Sequence, residues 1–338
     1  MIDAEPPPTP ESDDAPAGTV GHAPVLVEQV IALLDPHGGQ TLLDCTAGRG
    51  GHAVALLPKL VPDGRYVGLD VDPANVAFVT DRLDGAPVRV DVVKANFSDA
   101  RTVLDGLGID RVDLLLADLG FASTQMDDPQ RGFSFSQDGP LDMRLDPDLP
   151  LSAADLVNAL PQDELADVIY QFGEERRSRR IAQKIVAARQ DGPIKSTAQL
   201  AQIVRQAMPG PRSKHRGKGR SPKRGGRPAG GHRIDPATRT FMALRIAVNQ
   251  ETDALQSLLD NLTNLVAPEG RAAFISFHSL EDRLVKQAFA QLERDEHGQR
   301  LTRKPMTADD AERARNPRSR SAKLRAFEFS RRSDTQES

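Results

Sequence analysis

The sequence predicts an α/β protein: a parallel sheet with helices on both faces, into which an all-helical unit is inserted. Three observations carry this. Short apolar runs alternate with helical patterns from Pro24 to Leu119. A glycine turn, Gly48 to Gly51, separates an apolar run from a helix start. From Ser152 to Met208 the pattern is helical only, and the α/β rhythm resumes after Pro236. Strands apolar along their whole length imply a sheet buried on both faces.

In chain order, Val25, Leu26, Val30, Ile31 and Leu34 form a helical stripe that ends near Pro36. Thr41-Leu42-Leu43 reads as a first strand, and a helix is expected over 53–60. Arg65 to Val71 reads as a second strand, followed by a helix through Phe78 that Asp72 caps and Pro73 opens. Val88 to Lys94 and Val112 to Ala117 read as the third and fourth strands. Ser152 to Asp155 has capping-box spacing, and Leu165, Val168, Ile169 and Phe172 repeat with helical period. Ser196 or Thr197 caps a further helix. One long helix is predicted from Phe241 to Leu262, then a strand over 272–277 and a helix capped at Ser279.

A glycine turn between a strand and a helix lets backbone approach a ligand and offers unpaired N–H groups. Gly48 to Ala53 also satisfies G-x-G-x-x-A, a dinucleotide fingerprint, so an NAD-dependent oxidoreductase is one reading. Asp44, at the strand end before the glycines, tilts the choice. A carboxylate there repels a pyrophosphate and welcomes an ammonium group, as S-adenosylmethionine carries. The fold class is therefore a Rossmann-like S-adenosylmethionine-dependent methyltransferase sheet with an inserted helical domain. Gly50 and Gly51 are the cofactor-turn candidates, and His52 contributes its backbone N–H more than its ring. Asp70, 20 residues past Gly50, has the spacing for ribose hydroxyls; a bare capping role is its alternative.

Asp118 ends the fourth strand, where ligands of open α/β sheets bind. The lone pair of an exocyclic base amine is delocalised into the ring. A carboxylate accepting from its N–H favours rehybridisation and then helps the proton leave. Asp118 is the catalytic candidate and also a cofactor contact; a structural strand-end cap is the alternative. Gln125 follows in what reads as an exposed loop, within reach of cofactor or substrate.

The chain of 338 residues has net charge −4, yet nine Lys or Arg and no acid fall in residues 209–234. A second run, Arg313 to Arg325, carries six bases and no acid. Clustered cations on an otherwise acidic chain point to a polyanion partner; a solvated low-complexity loop is the bland alternative for the first run. A non-catalytic RNA-binding assembly factor is thus a rival function. Cys45 is the single cysteine and the seven histidines have no zinc spacing, so neither a disulfide nor a metal is expected. No signal peptide or membrane segment is read, and a cytoplasmic location is expected. The expected layout is a disordered acidic tail over 1–20, a methyltransferase domain over 21–140 and 237–330, and a tail over 331–338. Between the two methyltransferase segments, a helical insertion over 141–236 ends in the flexible basic loop 209–234.

The motifs also resemble a known family. They are His22 to Leu26, Asp44 to His52, Gly68 to Pro73, Asn96-Phe97, Asp118-Leu119-Gly120, Ser123, Gln125, Arg131 to Phe135 and Gly139 to Arg144. Phe172 to Arg176, Pro236 to Phe241, Ala243 to Asn249, Ser276 to Arg283 and Asn316 to Arg325 complete the set. Together they resemble the bacterial small-subunit ribosomal RNA methyltransferase H family, also called MraW. The resemblance implies S-adenosylmethionine-dependent methylation of the N4 amine of one cytidine in the decoding region of 16S ribosomal RNA. It implies cofactor contacts at Gly50, Gly51, His52, Asp70, Phe97, Asp118 and Gln125. The partner is then the small ribosomal subunit, with a homodimer as the oligomeric expectation. A DNA amino-methyltransferase is the nearer alternative that the motif set disfavours. Departures are Phe121, where Val is usual, Asp235, where His is expected, the acidic N-terminal extension and the long basic insert. Arg131, Arg144, His278 and Arg283 are candidate RNA contacts.

Overall fold

The computed structural model describes residues 24–208 and 235–331. The acidic tail, nearly all of the C-terminal tail and the basic loop 209–234 lie outside them. Helix α1 (Val27–Leu34) precedes β1 (Thr41–Asp44), α2 (Gly51–Leu56), β2 (Arg65–Asp70), α3 (Pro73–Arg82), β3 (Arg89–Lys94), α4 (Ala100–Gly106) and β4 (Val112–Asp118). A short α5 (Ser123–Asp127) leads to four helices, α6 (Ala153–Ala159), α7 (Gln162–Gly173), α8 (Ser178–Ala188) and α9 (Thr197–Ala207). Then follow α10 (Ala237–Asn249), α11 (Glu251–Asp260), α12 (Leu262–Leu265), β5 (Val266–Ser276), α13 (Ser279–Arg294), β6 (Gly298–Arg300), α14 (Asp310–Arg315) and β7 (Lys323–Phe329).

The strands form one seven-stranded sheet in the order β3-β2-β1-β4-β5-β7-β6. The first five are parallel, and β7 runs antiparallel between β5 and β6. The sheet is therefore mixed, not parallel throughout. Because successive side chains of a strand face opposite ways, Leu42 and Leu43 enter two different cores, as do Leu114 and Leu115. Burial on both faces explains why these strands read as continuous apolar runs.

Strand β7, which the sequence does not announce, begins at the end of the second basic run. Its apolar positions alternate between the faces, Leu324 and Ala326 on one, Phe327 and Phe329 on the other. Lys323 and Arg325 both pair with Asp282, at 3.2 and 2.7 Å, and Arg325 is buried. These two cations hold α13 against β7, and the buried Arg325 is not available to a polyanion.

The predicted long helix over 241–262 is broken. Gln250 adopts a left-handed conformation (φ 51°), so α10 and α11 are separate helices. The side chain of Asn249 turns inward at the break, accepting from the Leu145 N–H at 2.6 Å and donating to the Met143 carbonyl at 2.8 Å. Helices α6 to α9 build a third core, which Ala237, Phe241, Leu244 and Val248 of α10 join. The sequence reading assigned 237–249 to the methyltransferase part, but its apolar face belongs to this helical core. Ser152, Asp72 and Ser196 cap as their spacing predicts. The cap of α13 is His278, not Ser279, and the Glu281 carboxylate accepts from the backbone N–H groups of Phe277 and His278.

Candidate active site

The chain builds outward from β1 to β3 and then returns to place β4 on the other side of β1. Ligands of open sheets bind where the order reverses, beyond the carboxyl ends. Asp44 and Asp118 end those two adjacent strands. The Cys45 N–H donates to the Leu116 carbonyl at 2.8 Å, and the Asp118 N–H donates to Thr46 Oγ1 at 2.7 Å. The two carboxylates are thus fixed by backbone, not by loop chance.

A cavity of about 780 Å³ opens there, within the range of roughly 300–1,000 Å³ common for small-molecule sites. Asp44, Gly51, His52, Asp70, Phe97, Asp118 and Gln125 all line it. Gly50 is the one proposed cofactor residue that does not. It holds φ +74° as the residue before α2, and a Cβ there would come within 2.9 Å of Val79 Cγ2. Its role is conformational. Gly50→Ala is expected to cost about 1–3 kcal/mol, read as a lowered denaturant midpoint with an unchanged slope. Gly51 sits against Pro24, 3.1 Å from where a Cβ would fall.

Asp70 closes the turn from beneath. Its carboxylate accepts from the Gly48 N–H and the Asp72 N–H, each at 2.8 Å, and from Asn75 Nδ2 at 3.3 Å. Burial nonetheless raises its pKa above the usual value, because the three donors offset only part of the desolvation. Of its roughly four acceptor positions, one remains for a hydroxyl group.

Asp44 is buried, accepting from the Thr46 N–H and the Tyr66 hydroxyl, both at 3.1 Å. Burial pushes its carboxyl up to about 6, against the pull of His52 and these two donors.

His52 departs from the sequence reading, which weighted its backbone N–H. The ring itself is buried, with Nε2 3.4 Å from Asp118 Oδ2. Burial lowers the imidazole pKa, but Asp118 and Asp44 outweigh it and the net shift is upward. The other oxygen, Asp118 Oδ1, is buried and accepts no hydrogen bond among the described residues. Such an unsatisfied buried acceptor is uncommon and marks the Asp118 carboxylate as a group held for a purpose other than packing.

Gln125 is a buried residue of α5, not an exposed loop residue. Its Oε1 accepts from the Ala122 N–H at 2.8 Å and its Nε2 donates to Asp72 Oδ2 at 2.7 Å. Arg131 reaches the same Asp72 oxygen at 2.6 Å and donates to the carbonyls of Arg144 and Leu145. Burial alone would raise Asp72, yet Arg131 and Gln125 hold it below the usual carboxylate range. Arg131 is therefore a brace between β2 and the loop after β4, not a free cation for RNA. Arg144 is similarly spent on Asp142 and the carbonyls of Pro147 and Leu149. His278 lies 3.0 Å from Glu281, and Arg283 pairs with Glu174 at 2.9 Å.

Phe121, Arg245, Asn249 and Glu251 also line the cavity. The sequence marks Phe121 as a departure from the family pattern, and helical period alone offers no reason to send Arg245 toward a cavity. Among the described residues no helix is long and apolar enough to cross a membrane.

The MraW methylase family matches residues 19–330. The ribosomal RNA small subunit methyltransferase H of Geobacter sulfurreducens is 45% identical over 325 residues, covering 92% of this chain and 99% of that protein. The protein of the same name from Symbiobacterium thermophilum is 43% identical, covering 90% and 95%. That of Syntrophobacter fumaroxidans is 41% identical, covering 93% and 98%. With a match across nearly its whole length and relatives this similar, the chain belongs to the MraW methylase family.

Proposed function

We propose that this protein transfers a methyl group from S-adenosylmethionine to the N4 amine of a cytidine in the decoding region of 16S ribosomal RNA, in the cytoplasm. The observation that carries the reading is the Asp118 carboxylate lining the cavity beside the glycine turn, with one oxygen that has no hydrogen-bond partner among the described residues. The relatives, ribosomal RNA small subunit methyltransferases, supply the substrate class.

The residues suit the donor. Asp44 offers a buried anion for an ammonium group, Asp70 has an acceptor position left for a ribose hydroxyl, and Phe97 gives an apolar face for adenine. When bound, S-adenosylmethionine supplies a methyl group made electrophilic by its sulfonium. The rest is done by the chain. The Asp118 carboxylate accepts from an N4–H, drawing the amine lone pair out of ring conjugation and holding it in line. As the carbon–nitrogen bond forms and the carbon–sulfur bond breaks, N4 becomes positive and gives its proton to Asp118. His52, against the other oxygen, keeps that carboxylate oriented.

The sheet with its glycine turn is the methyltransferase unit, and α6 to α10 form a helical unit beside the cavity. A base in a folded RNA must be unstacked to reach N4, as enzymes acting on bases require. The basic residues 209–234 are the proposed phosphate contacts, and a homodimer is the proposed oligomer, checked by light scattering. The test is transfer of labelled methyl from S-adenosylmethionine to small subunits of cells lacking this protein, with mass-spectrometric mapping. A labelled cytidine N4 is expected. Donor binding without RNA labelling, or label on another base, overturns the proposal.

A further inference from the structure

Arg245 is a largely covered cation with one end committed and the other open. Its Nε and Nη2 donate to the two oxygens of Glu251, each at 2.8 Å. A partner six residues away lies on another face of a continuous helix; the break at Gln250 is what brings the pair together. The Arg245 side chain is only 12% exposed, and among the described residues its Nη1 has no hydrogen-bond partner. The guanidinium carbon lies 4.7 Å from the ring centre of Phe121, which stacks on Phe133 at 5.1 Å and 15°. Phe121 is three residues beyond Asp118, and all three of Asp118, Phe121 and Arg245 line the cavity.

Resting on the activity proposed above, we infer that Arg245 reads the N3–O2 edge of the target cytosine, with Phe121 as the aromatic wall that holds its guanidinium flat. Cytosine presents one donor, the N4 amine, next to two acceptors. Asp118 accepts from the donor, and the open Nη1 of Arg245 donates to the acceptors. Uracil reverses two of these positions: its O4 faces the carboxylate and its N3–H faces the guanidinium. Glu251 cancels the charge of Arg245, so this wall suits a neutral planar base more than a phosphate or the donor's carboxylate. Glu251 also fixes the fork, so no side-chain freedom is lost when the base arrives.

The test compares small subunits reconstituted with cytidine or 3-deazacytidine at the target; the analogue keeps the amine and lacks the N3 acceptor. The unmodified protein is expected to favour cytidine about 10–100-fold in kcat/KM. Arg245→Met is expected to shrink that ratio to within about threefold, with donor affinity by calorimetry unchanged. Arg245→Lys, which keeps the charge and loses the fork, is expected to fall between and serves if the Met variant does not fold. A wild-type ratio in either variant overturns the assignment. So does a loss of donor affinity, which would place Arg245 on the donor's carboxylate. No transfer by the unmodified protein to native cytidine overturns the activity itself, a result distinct from both.

Discussion

Replacing Asp118 with Ala is expected to slow methyl transfer by about 10²–10⁴-fold, the range a positioned proton acceptor supplies. The fold should survive. The Asp118 backbone N–H, not its side chain, makes the bond to Thr46 that ties β4 to β1, and the carboxylate has one unsatisfied oxygen to lose. Donor affinity is expected to change little beside the rate, because Asp44, Asp70 and Phe97 remain in the cavity. Asp118→Asn separates two roles. It keeps an oxygen that can accept from the amine but cannot take its proton, so a rate between wild type and Ala marks positioning plus proton uptake. Single-turnover measurements with saturating donor give the chemical step directly. Near-normal turnover of Asp118→Ala with donor bound would show that the proton leaves by another path.

The fold was legible wherever burial wrote itself into composition. Strands β1, β2 and β4 are apolar runs because both their faces are covered, and Asp44 and Asp118 stand at their ends by the same logic. Strand β7 was illegible because its alternation is masked by Lys323, Arg325 and Glu328, whose charges are neutralised by partners far away in sequence. Helix α10 was legible as a helix, but the break at Gln250 has no glycine or proline to announce it. The break is flanked by the long-range contact of Asn249 to the Met143 carbonyl and by the pair of Glu251 with Arg245, which helical period does not encode. In the site, glycine and acid spacing identified the donor turn. The ring of His52 was undervalued because its meaning depends on Asp118, 66 positions later, arriving on the neighbouring strand. Gln125 was taken as exposed for the same reason: its partner Asp72 lies on the β2 side of the sheet. Where the resemblance named Phe97, residue chemistry alone would have left it in the core.

Asp44→Asn is expected to stabilise the free protein while weakening its hold on the donor. The carboxyl at Asp44 is raised from 3.8 to about 6, chiefly by burial. The folded state then keeps a proton that the unfolded chain releases, so stability falls as pH rises from about 4 to about 6 and stays reduced above. A shift of this size corresponds to roughly 3 kcal/mol. An asparagine has no charge to bury, and its amide can still accept from Thr46 and donate to the Tyr66 oxygen. The variant should therefore melt higher than wild type at pH 7.5, match it near pH 4, and lose this part of the pH dependence. Donor binding runs the other way. An ammonium beside Asp44 favours the ionised carboxylate, so wild-type affinity should climb by about tenfold between pH 5 and 7, with proton release visible as buffer-dependent heats in calorimetry. Asp44→Asn should bind about 10–100-fold more weakly at pH 7.5 and release no proton at this site. A variant that binds the donor as tightly as wild type at that pH would place the ammonium elsewhere, leaving Asp44 only its bonds to Thr46 and Tyr66 as a reason to be buried.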